Sequence, residues 1–306
     1  MTLPWIRRGG TLACALLLAT GCGFLDAPGV PRVVAHRAGS GNFPENSRAA
    51  VQAALERGYA GIEVDLCLTK DGVPVLSHDV WLKPALCTRA DGTRLPEGSR
   101  LLLRDLTLEE LRRDYRCGGL RDPEKPDAEL LADQHMTLEE LLEALRGHPD
   151  VTLQLDVKQD PVFTASAEEY ATAILGEWNA ARLPNPWFVT ATRGELLRAF
   201  EARQPVETLL IWPMFTADSN TTVVGVTEEL KRALGVQELV RLARDAGADG
   251  IAVSYGVADR AALEQVRQAG MKTAVWTANT PGQLATYCRW PLDYLITDYV
   301  ERAPCR

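Results

Sequence analysis

The chain has 306 residues, 46% of them apolar and 24% charged, with a formal net charge of −8. That length suits one large α/β barrel or two smaller domains. A groove that follows a nucleic-acid backbone needs clustered Lys and Arg. No such cluster stands out, which argues against a nucleic-acid partner, while a small anionic substrate stays open because one local metal ion can reverse the sign of the field.

The chain begins with Arg7-Arg8, followed by a short apolar run that ends in Ala19-Thr20-Gly21-Cys22. A basic start, a short apolar core and small residues before a cleavage point mark an export signal. The run is too short to span a bilayer. Ala19-Thr20-Gly21-Cys22 resembles a bacterial lipobox, in which the Cys is lipidated; cleavage by an ordinary signal peptidase is the alternative. The expected organisation is a signal peptide over 1–21, a Pro/Gly tether over 22–31 and one folded unit over 32–306. Such a chain would be exported to the cell envelope and held at the membrane through a lipidated Cys22.

Short apolar runs at 33–35, 61–66, 151–157, 187–190, 208–212, 250–253, 272–276 and 294–297 predict strands. Helical patterns at 46–57, 170–182, 194–203, 236–246, 260–269 and 282–288 fall between them. Gly58, Gly247 and Gly270 stand where helices should end, since Gly readily takes the left-handed cap conformation. Strands alternating with helices imply a parallel sheet. The run at 73–76 follows the tight turn Lys70-Asp71-Gly72, so it should fold back antiparallel and lie outside the parallel ladder. Eight parallel strands remain, the number for a TIM-type (β/α)8 barrel. An open doubly wound sheet is the other candidate, but no Gly-x-Gly-x-x-Gly turn follows the first strand. Residues 80–134 break the rhythm with charges and prolines, and read as an irregular insertion near the barrel mouth.

Barrel sites form at the C-terminal ends of strands. His36 and Arg37 end the first strand; Glu63 and Asp65 lie on the second; His78 ends the folded-back segment; Asp156 and Lys158 lie on the next barrel strand; Trp276 ends a later one. Glu63 and Asp65 are two residues apart and face one side of a strand. Carboxylates crowded inside a barrel need compensation. Either a divalent cation supplies it, with Asp156 as third ligand, or Arg37 and Lys158 form a buried ion network with them. An all-oxygen site suits Mg²⁺ or Ca²⁺ rather than Zn²⁺. Imidazole titrates near neutral pH, so His36 and His78 suit a general acid/base pair. Arg37 and Lys158 suit phosphate contacts, and Trp276 either barrel packing or a substrate platform. His135 reads as a loop residue before a capped helix and His148 as a surface turn. Cys67 lacks a partner arrangement for nucleophilic chemistry and reads as a small buried side chain.

These residues together resemble the glycerophosphodiester phosphodiesterase family. The likeness runs through His36-Arg37-Ala38-Gly39, Pro44-Glu45-Asn46-Ser47, Gly61-Ile62-Glu63-Val64-Asp65, Thr69-Lys70-Asp71-Gly72-Val73-Pro74-Val75 and His78-Asp79. It continues in Thr137-Leu138-Glu139-Glu140, Asp156-Val157-Lys158, Val275-Trp276-Thr277-Ala278-Asn279 and Leu295-Ile296-Thr297-Asp298. The resemblance implies a TIM barrel with an insertion after His-Asp, and one Mg²⁺ or Ca²⁺ ion on Glu63, Asp65 and a third acid. It implies His36 and His78 as acid and base, Arg37 and Lys158 on the phosphate, and Trp276 lining the pocket. The implied reaction converts a small glycerophosphodiester to glycerol 3-phosphate and an alcohol. Three positions depart from the family pattern: Asp156 where Glu is common, Ala38 where Gly is usual and Tyr299 where Pro is common. A cyclising lyase like the sphingomyelinase D enzymes, or a lipoprotein that binds phosphodiesters without cleaving them, are the other readings.

Seven Cys are present, and two of them, Cys14 and Cys22, belong to the leader. An oxidising compartment lets the others pair. The expected bridges are Cys87–Cys117, within an insertion too poor in apolar residues to hold itself by a core, and Cys288–Cys305 beside the last strand. Cys67 would remain free.

Overall fold

The computed structural model describes residues 29–212 and 236–306. The expected signal peptide, Cys22 and most of the tether lie outside the described residues. In chain order the strands are β1 (Arg32–Ala35), β2 (Gly61–Leu68), β3 (Pro74–Leu76), β4 (Trp81–Leu82), β5 (Cys87–Arg89), β6 (Leu101–Leu102) and β7 (Tyr115–Cys117). They continue as β8 (Thr152–Val157), β9 (Trp187–Ala191), β10 (Glu207–Trp212), β11 (Gly250–Ser254), β12 (Lys272–Trp276) and β13 (Tyr294–Thr297). The described helices are α1 (Arg48–Glu56), α2 (Leu108–Asp114), α3 (Leu138–Ala144), α4 (Ala167–Ala181), α5 (Gly194–Glu201), α6 (Val236–Asp245), α7 (Arg260–Gln268) and α8 (Pro281–Tyr287).

The barrel closes as expected. Parallel pairing runs β1-β13-β12-β11-β10-β9-β8-β2, and β1 also pairs with β2. β3 pairs antiparallel with β2, Leu66 opposite Leu76, as the tight turn requires. Helix starts follow local chemistry. Thr137, Ser166 and Thr280 each accept from the backbone three residues on, where Glu140, Glu169 and Gln283 reach back in capping boxes. Such a cap stabilises by about 1 kcal/mol.

Two apolar layers position the site. The larger lies between barrel and helices and includes Ile62, Val64, Leu66, Leu153, Leu155 and Tyr170. The smaller fills the barrel itself, with Val34, Phe188, Leu209, Ile211, Ala252, Ala274 and Ile296. Phe188 stacks on Tyr294 at 4.3 Å, and the Tyr294 hydroxyl donates to Glu207 Oε1 at 2.6 Å. Side chains of the described residues pack the barrel interior, and its polar chemistry is displaced to the C-terminal rim.

The insertion is better ordered than its composition suggests. β4 pairs with β6 and β5 with β7, both antiparallel. It also has a core: Val80, Leu82, Cys87, Leu95, Leu103, Leu111 and Tyr115 pack with Cys67 of β2 and Val75 of β3. The expectation of an insertion without a core is thereby corrected. Strands of two or three residues are too short to show a period in sequence, and their apolar residues are spread among charges. Both expected disulfides are present, and Cys67 is free and buried. Cys87 and Cys117 are direct partners in the β5–β7 register. His135 lies in the loop before α3 with Nε2 3.9 Å from the Cys117 sulfur. His148 is half-buried in the turn before β8.

Two outcomes follow for stability. Replacing Cys87 and Cys117 by Ser should cost about 2–4 kcal/mol in denaturant unfolding, because the bridge closes a long loop in the unfolded chain. An unchanged midpoint would show that the insertion's core suffices alone. Burial, reinforced by Arg112, holds His135 down to about 4. The unfolded chain therefore binds a proton on this residue below its ordinary value while the folded chain does not. Stability is full above pH 6.5 and falls as pH drops towards 4. His135→Gln should flatten that slope, and an unaltered slope would place the acid sensitivity elsewhere.

Candidate active site

The centre is a buried carboxylate cluster on β2 and β8. Glu63 and Asp65 share one face of β2, each 1% exposed. Asp156 is the register partner of Asp65 on β8. One ligand atom from each of the three lies within 4.8 Å of the others. The shorter side chain of Asp156 thus still reaches the cluster. Lys158 Nζ lies 2.8 Å from Asp65 Oδ1 and 2.6 Å from Asp156 Oδ2.

The chain enters this centre through a tight turn after β1. Arg37 and Ala38 have φ of 48° and 64°, in the left-handed region. A Cβ is disfavoured there, which explains why Gly suits the position of Ala38. The turn aims the Arg37 backbone N–H at Glu63 Oε2, 2.5 Å away. The Arg37 guanidinium is ion-paired with Glu45, and its Nε lies 3.4 Å from Asp65. Asn46 brackets Asp65 from both sides: its Nδ2 donates to Asp65 Oδ2 at 2.7 Å, and its Oδ1 accepts from the Asp65 backbone at 3.0 Å.

Charge decides the protonation states. Burial, then Asp65 and Asp156, raise Glu63 well above the usual carboxylate range. Burial acts the same way on Asp65, but Lys158, His78 and Arg37 outweigh it and hold that carboxyl low. The ion network expected as an alternative is therefore real, yet it satisfies Asp65 and Asp156 better than Glu63. Asp65 Oδ1, Arg37 Nε and His78 Nδ1 are buried without an aligned hydrogen-bond partner among the described residues. Three carboxylates around one point form a hard-oxygen donor set that fits a divalent cation.

Both histidines lie close enough to the cluster for their charges to bear on Asp65. His36 Nδ1 is 2.7 Å from Asp298 Oδ1. Asp298 also accepts from Ser40 Oγ at 2.7 Å and Asn279 Nδ2 at 2.6 Å. An ionised Asp298 makes Nδ1 the donor and leaves Nε2 as the basic nitrogen. Burial lowers the His36 pKa; Asp298 opposes this without reversing it. His78 is delivered by the fold-back of β3, where the Ser77 backbone N–H donates to the Asp65 carbonyl at 3.0 Å. Its Nδ1 is 3.6 Å from Asp79 Oδ1, and Asp79 also faces Lys83 at 3.3 Å. Burial would raise Asp79, but the facing His78 imidazole and then Lys83 hold it down to about 2.

Trp276 ends β12, its peptide bond to Thr277 is cis, and its indole donates to the Ala252 carbonyl at 3.3 Å. Cys67 Sγ is 3.4 Å from the Ser77 carbonyl; burial pushes its thiol up, which keeps it protonated and inert. A cavity of about 90 Å³ opens on the His78 side, between the barrel mouth and the insertion, touching Glu45, Asp79, Trp81 and Lys125. Of the eight residues expected at the site, Glu63 and Asp65 lie within β2, Asp156 and Trp276 lie at the ends of β8 and β12, and His36, Arg37, His78 and Lys158 follow the ends of β1, β3 and β8. The roles of Glu45, Asn46, Asp298 and Lys125 were not anticipated. The first three stand inside quoted motifs, so their presence was visible although their partners were not. Lys125 lies in a charged, Pro-flanked stretch that looks solvated.

The glycerophosphoryl diester phosphodiesterase family model matches residues 36–302. A glycerophosphodiester phosphodiesterase of Caldanaerobacter subterraneus subsp. tengcongensis is 35% identical over 147 residues, 48% of this chain and 53% of that protein. The match thus spans about half the length of that curated relative. A Silicibacter pomeroyi protein assigned to the glycerophosphoryl diester phosphodiesterases superposes with a TM-score of 0.75 at 25% identity, covering 90% of this chain and 92% of that one. An Oleispira antarctica phosphodiesterase, solved with its product sn-glycerol-3-phosphate, shares the fold with a TM-score of 0.66 at 20% identity, covering 90% of this chain and 95% of its own. With the family pattern running from the His36 turn to the end of the barrel, the chain belongs to the glycerophosphoryl diester phosphodiesterase family.

Proposed function

We propose that the protein hydrolyses glycerophosphodiesters to glycerol 3-phosphate and an alcohol, using one divalent cation, Mg²⁺ or Ca²⁺, on Glu63, Asp65 and Asp156. The observation that carries this reading is the pair of imidazoles, each beside its own carboxylate, near enough to a buried three-carboxylate cluster for their charges to act on Asp65. The product found with the Oleispira protein supports the same substrate class here. When bound, the ion supplies positive charge to the phosphoryl oxygens.

His36, held neutral by burial and oriented by Asp298, takes the proton of the attacking water. A new phosphorus–oxygen bond forms as the bond to the alcohol breaks. His78 gives its proton to the departing oxygen, and Asp79 beside it orients the ring. Arg37 and Lys158 contact the non-bridging phosphate oxygens, Arg37 by its planar fork and Lys158 as a point charge. Trp276 forms a wall of the substrate site. The two disulfides support export to an oxidising compartment, and the leader pattern supports anchoring through Cys22; Cys22→Ser should move the protein from the membrane fraction to the soluble one.

Each of His36→Ala and His78→Ala should lower turnover about 10²–10⁴-fold with an intact fold. Near wild-type turnover in either folded variant removes that residue from the mechanism. His36 works as a base only when neutral, so its lowered pKa should set the acid limb of kcat/KM below pH 6.5. Asp298→Asn removes the charge that raises His36, so the limb should move lower still while kcat falls. Phosphorus NMR of the products separates hydrolysis from the lyase reading, since a cyclic phosphate would establish the latter.

Chelation should abolish turnover, and full activity after exhaustive chelation would rule out the metal. Adding Mg²⁺ or Ca²⁺ should raise the melting temperature, with about 2.7 kcal/mol of stabilisation at one hundred times Kd. Asp65→Asn should erase that shift. No shift with either ion would instead leave the ion network as the whole account of the cluster.

A further inference from the structure

We infer that Lys125, delivered by the insertion, is a positioning residue that holds both Arg37 and His36 in register; the inference rests on the phosphodiesterase reading of the site. Lys125 belongs to Asp122-Pro123-Glu124-Lys125-Pro126, a stretch whose composition suits solvent. Its side chain is nevertheless buried, with the residue 9% exposed. A buried ammonium is costly unless it is paired and hydrogen-bonded. Lys125 Nζ donates to Ser40 Oγ at 2.5 Å and lies 3.7 Å from both Glu45 Oε2 and Asp298 Oδ1.

Each of those carboxylates already has a task. Glu45 grips the Arg37 guanidinium, and Asp298 grips His36 Nδ1. Ser40 passes the contact on, since its hydroxyl donates to the same Asp298 oxygen. Lys125 therefore shares its charge between the two anions that orient Arg37 and His36. Without it, Glu45 would draw Arg37 away from Asp65 and Asp298 would bind His36 more strongly, and both groups would shift.

The loop that presents Lys125 is fixed from within and without. The Lys125 backbone N–H donates to the Asp122 carbonyl at 3.1 Å. Arg121 Nη1 donates to the carbonyls of Pro126 at 2.5 Å and Ala128 at 2.8 Å. Glu129 N–H reaches the Asn42 carbonyl at 3.0 Å, and Leu131 N–H reaches Gly118, one residue beyond the bridged Cys117. The ammonium thus arrives at a set place rather than searching from a free loop.

The test uses the full disulfide-bonded chain with Lys125→Met, which keeps the apolar stem, and Lys125→Arg, which keeps the charge. Two readouts are taken after thermal melting confirms the fold: the His36 imidazole nitrogen signals by NMR, and kinetics with glycerophosphocholine. The Met variant should displace the His36 signals and lower kcat about tenfold to a hundredfold. KM should stay within about threefold, because ground-state binding is not what the residue supplies. The Arg variant should recover most of both. Wild-type kcat and undisturbed His36 signals in the Met variant would reduce Lys125 to a latch for the insertion and overturn the inference. If the wild-type chain turns over no glycerophosphodiester, the phosphodiesterase reading fails by itself, and the His36 signals alone decide whether Lys125 positions that ring. Should the Met variant fail to fold, Ser40→Ala removes the link between Lys125 and Asp298 and should move the same readouts in the same direction, less strongly; unmoved readouts there also overturn the inference.

Discussion

Three carboxylates forced into one buried space impose the constraint that organises this barrel rim. Glu63 and Asp65 are placed together by the two-residue period of a strand, and Asp156 joins them through the β2–β8 register. Charges so close and so poorly hydrated cannot all remain ionised without partners. Lys158, Arg37 and Asn46 answer that demand for Asp65 and Asp156, and Glu63 is left with a backbone N–H and a strong pull towards its protonated form. A single divalent charge would settle the remainder. The left-handed turn at Arg37 and Ala38 follows from the same constraint, since it brings the Arg37 backbone N–H onto Glu63. Strain of this kind persists where surrounding contacts over-determine it.

Closure of the sheet does the next part. His36 and Asp298 are separated by almost the whole described chain, and they meet only because the first strand pairs with the last. The fold-back of β3 performs the corresponding service for His78, carrying it beside Asp65 without a separate helix or crossover. Below them the packed interior around Phe188 and Tyr294 closes the barrel. The reacting groups are thereby mounted on strand ends backed by a rigid core, which is where geometric precision is easiest to hold.

Much of this could be read from residue order because the signals were local. The eight strands announce themselves as short apolar runs, and the antiparallel segment is betrayed by Lys70-Asp71-Gly72. Glu63 and Asp65 point together by strand period alone. The ligand residues of the proposed metal and the two histidines needed only the rule that barrel chemistry collects at C-terminal strand ends. What escaped was long-range or densely mixed. Asp298 is unremarkable until β1 and β13 are paired. Asn46 looks like part of a helix start, whereas its φ of 55° turns its amide onto Asp65. The small sheets of the insertion are too short for periodicity, and their core depends on contacts with Cys67 and Val75 that no local window contains. Lys125 escaped for the same reason, since its partners Ser40, Glu45 and Asp298 come from both ends of the barrel sequence.

The two histidines differ in how far their carboxylates are committed. Asp298 is saturated: it accepts from His36, Ser40 and Asn279, its own backbone N–H is held by Asn279, and Lys125 stands nearby. A carboxylate shared so widely orients its imidazole without strongly favouring the protonated ring, and burial then keeps His36 below its ordinary value. Asp79 has fewer claims on it, His78 and the more exposed Lys83. Its charge faces the His78 ring with fewer competitors. The asymmetry originates in topology: one carboxylate sits at the seam where the barrel closes and the insertion docks, while the other sits at the tip of a two-strand fold-back.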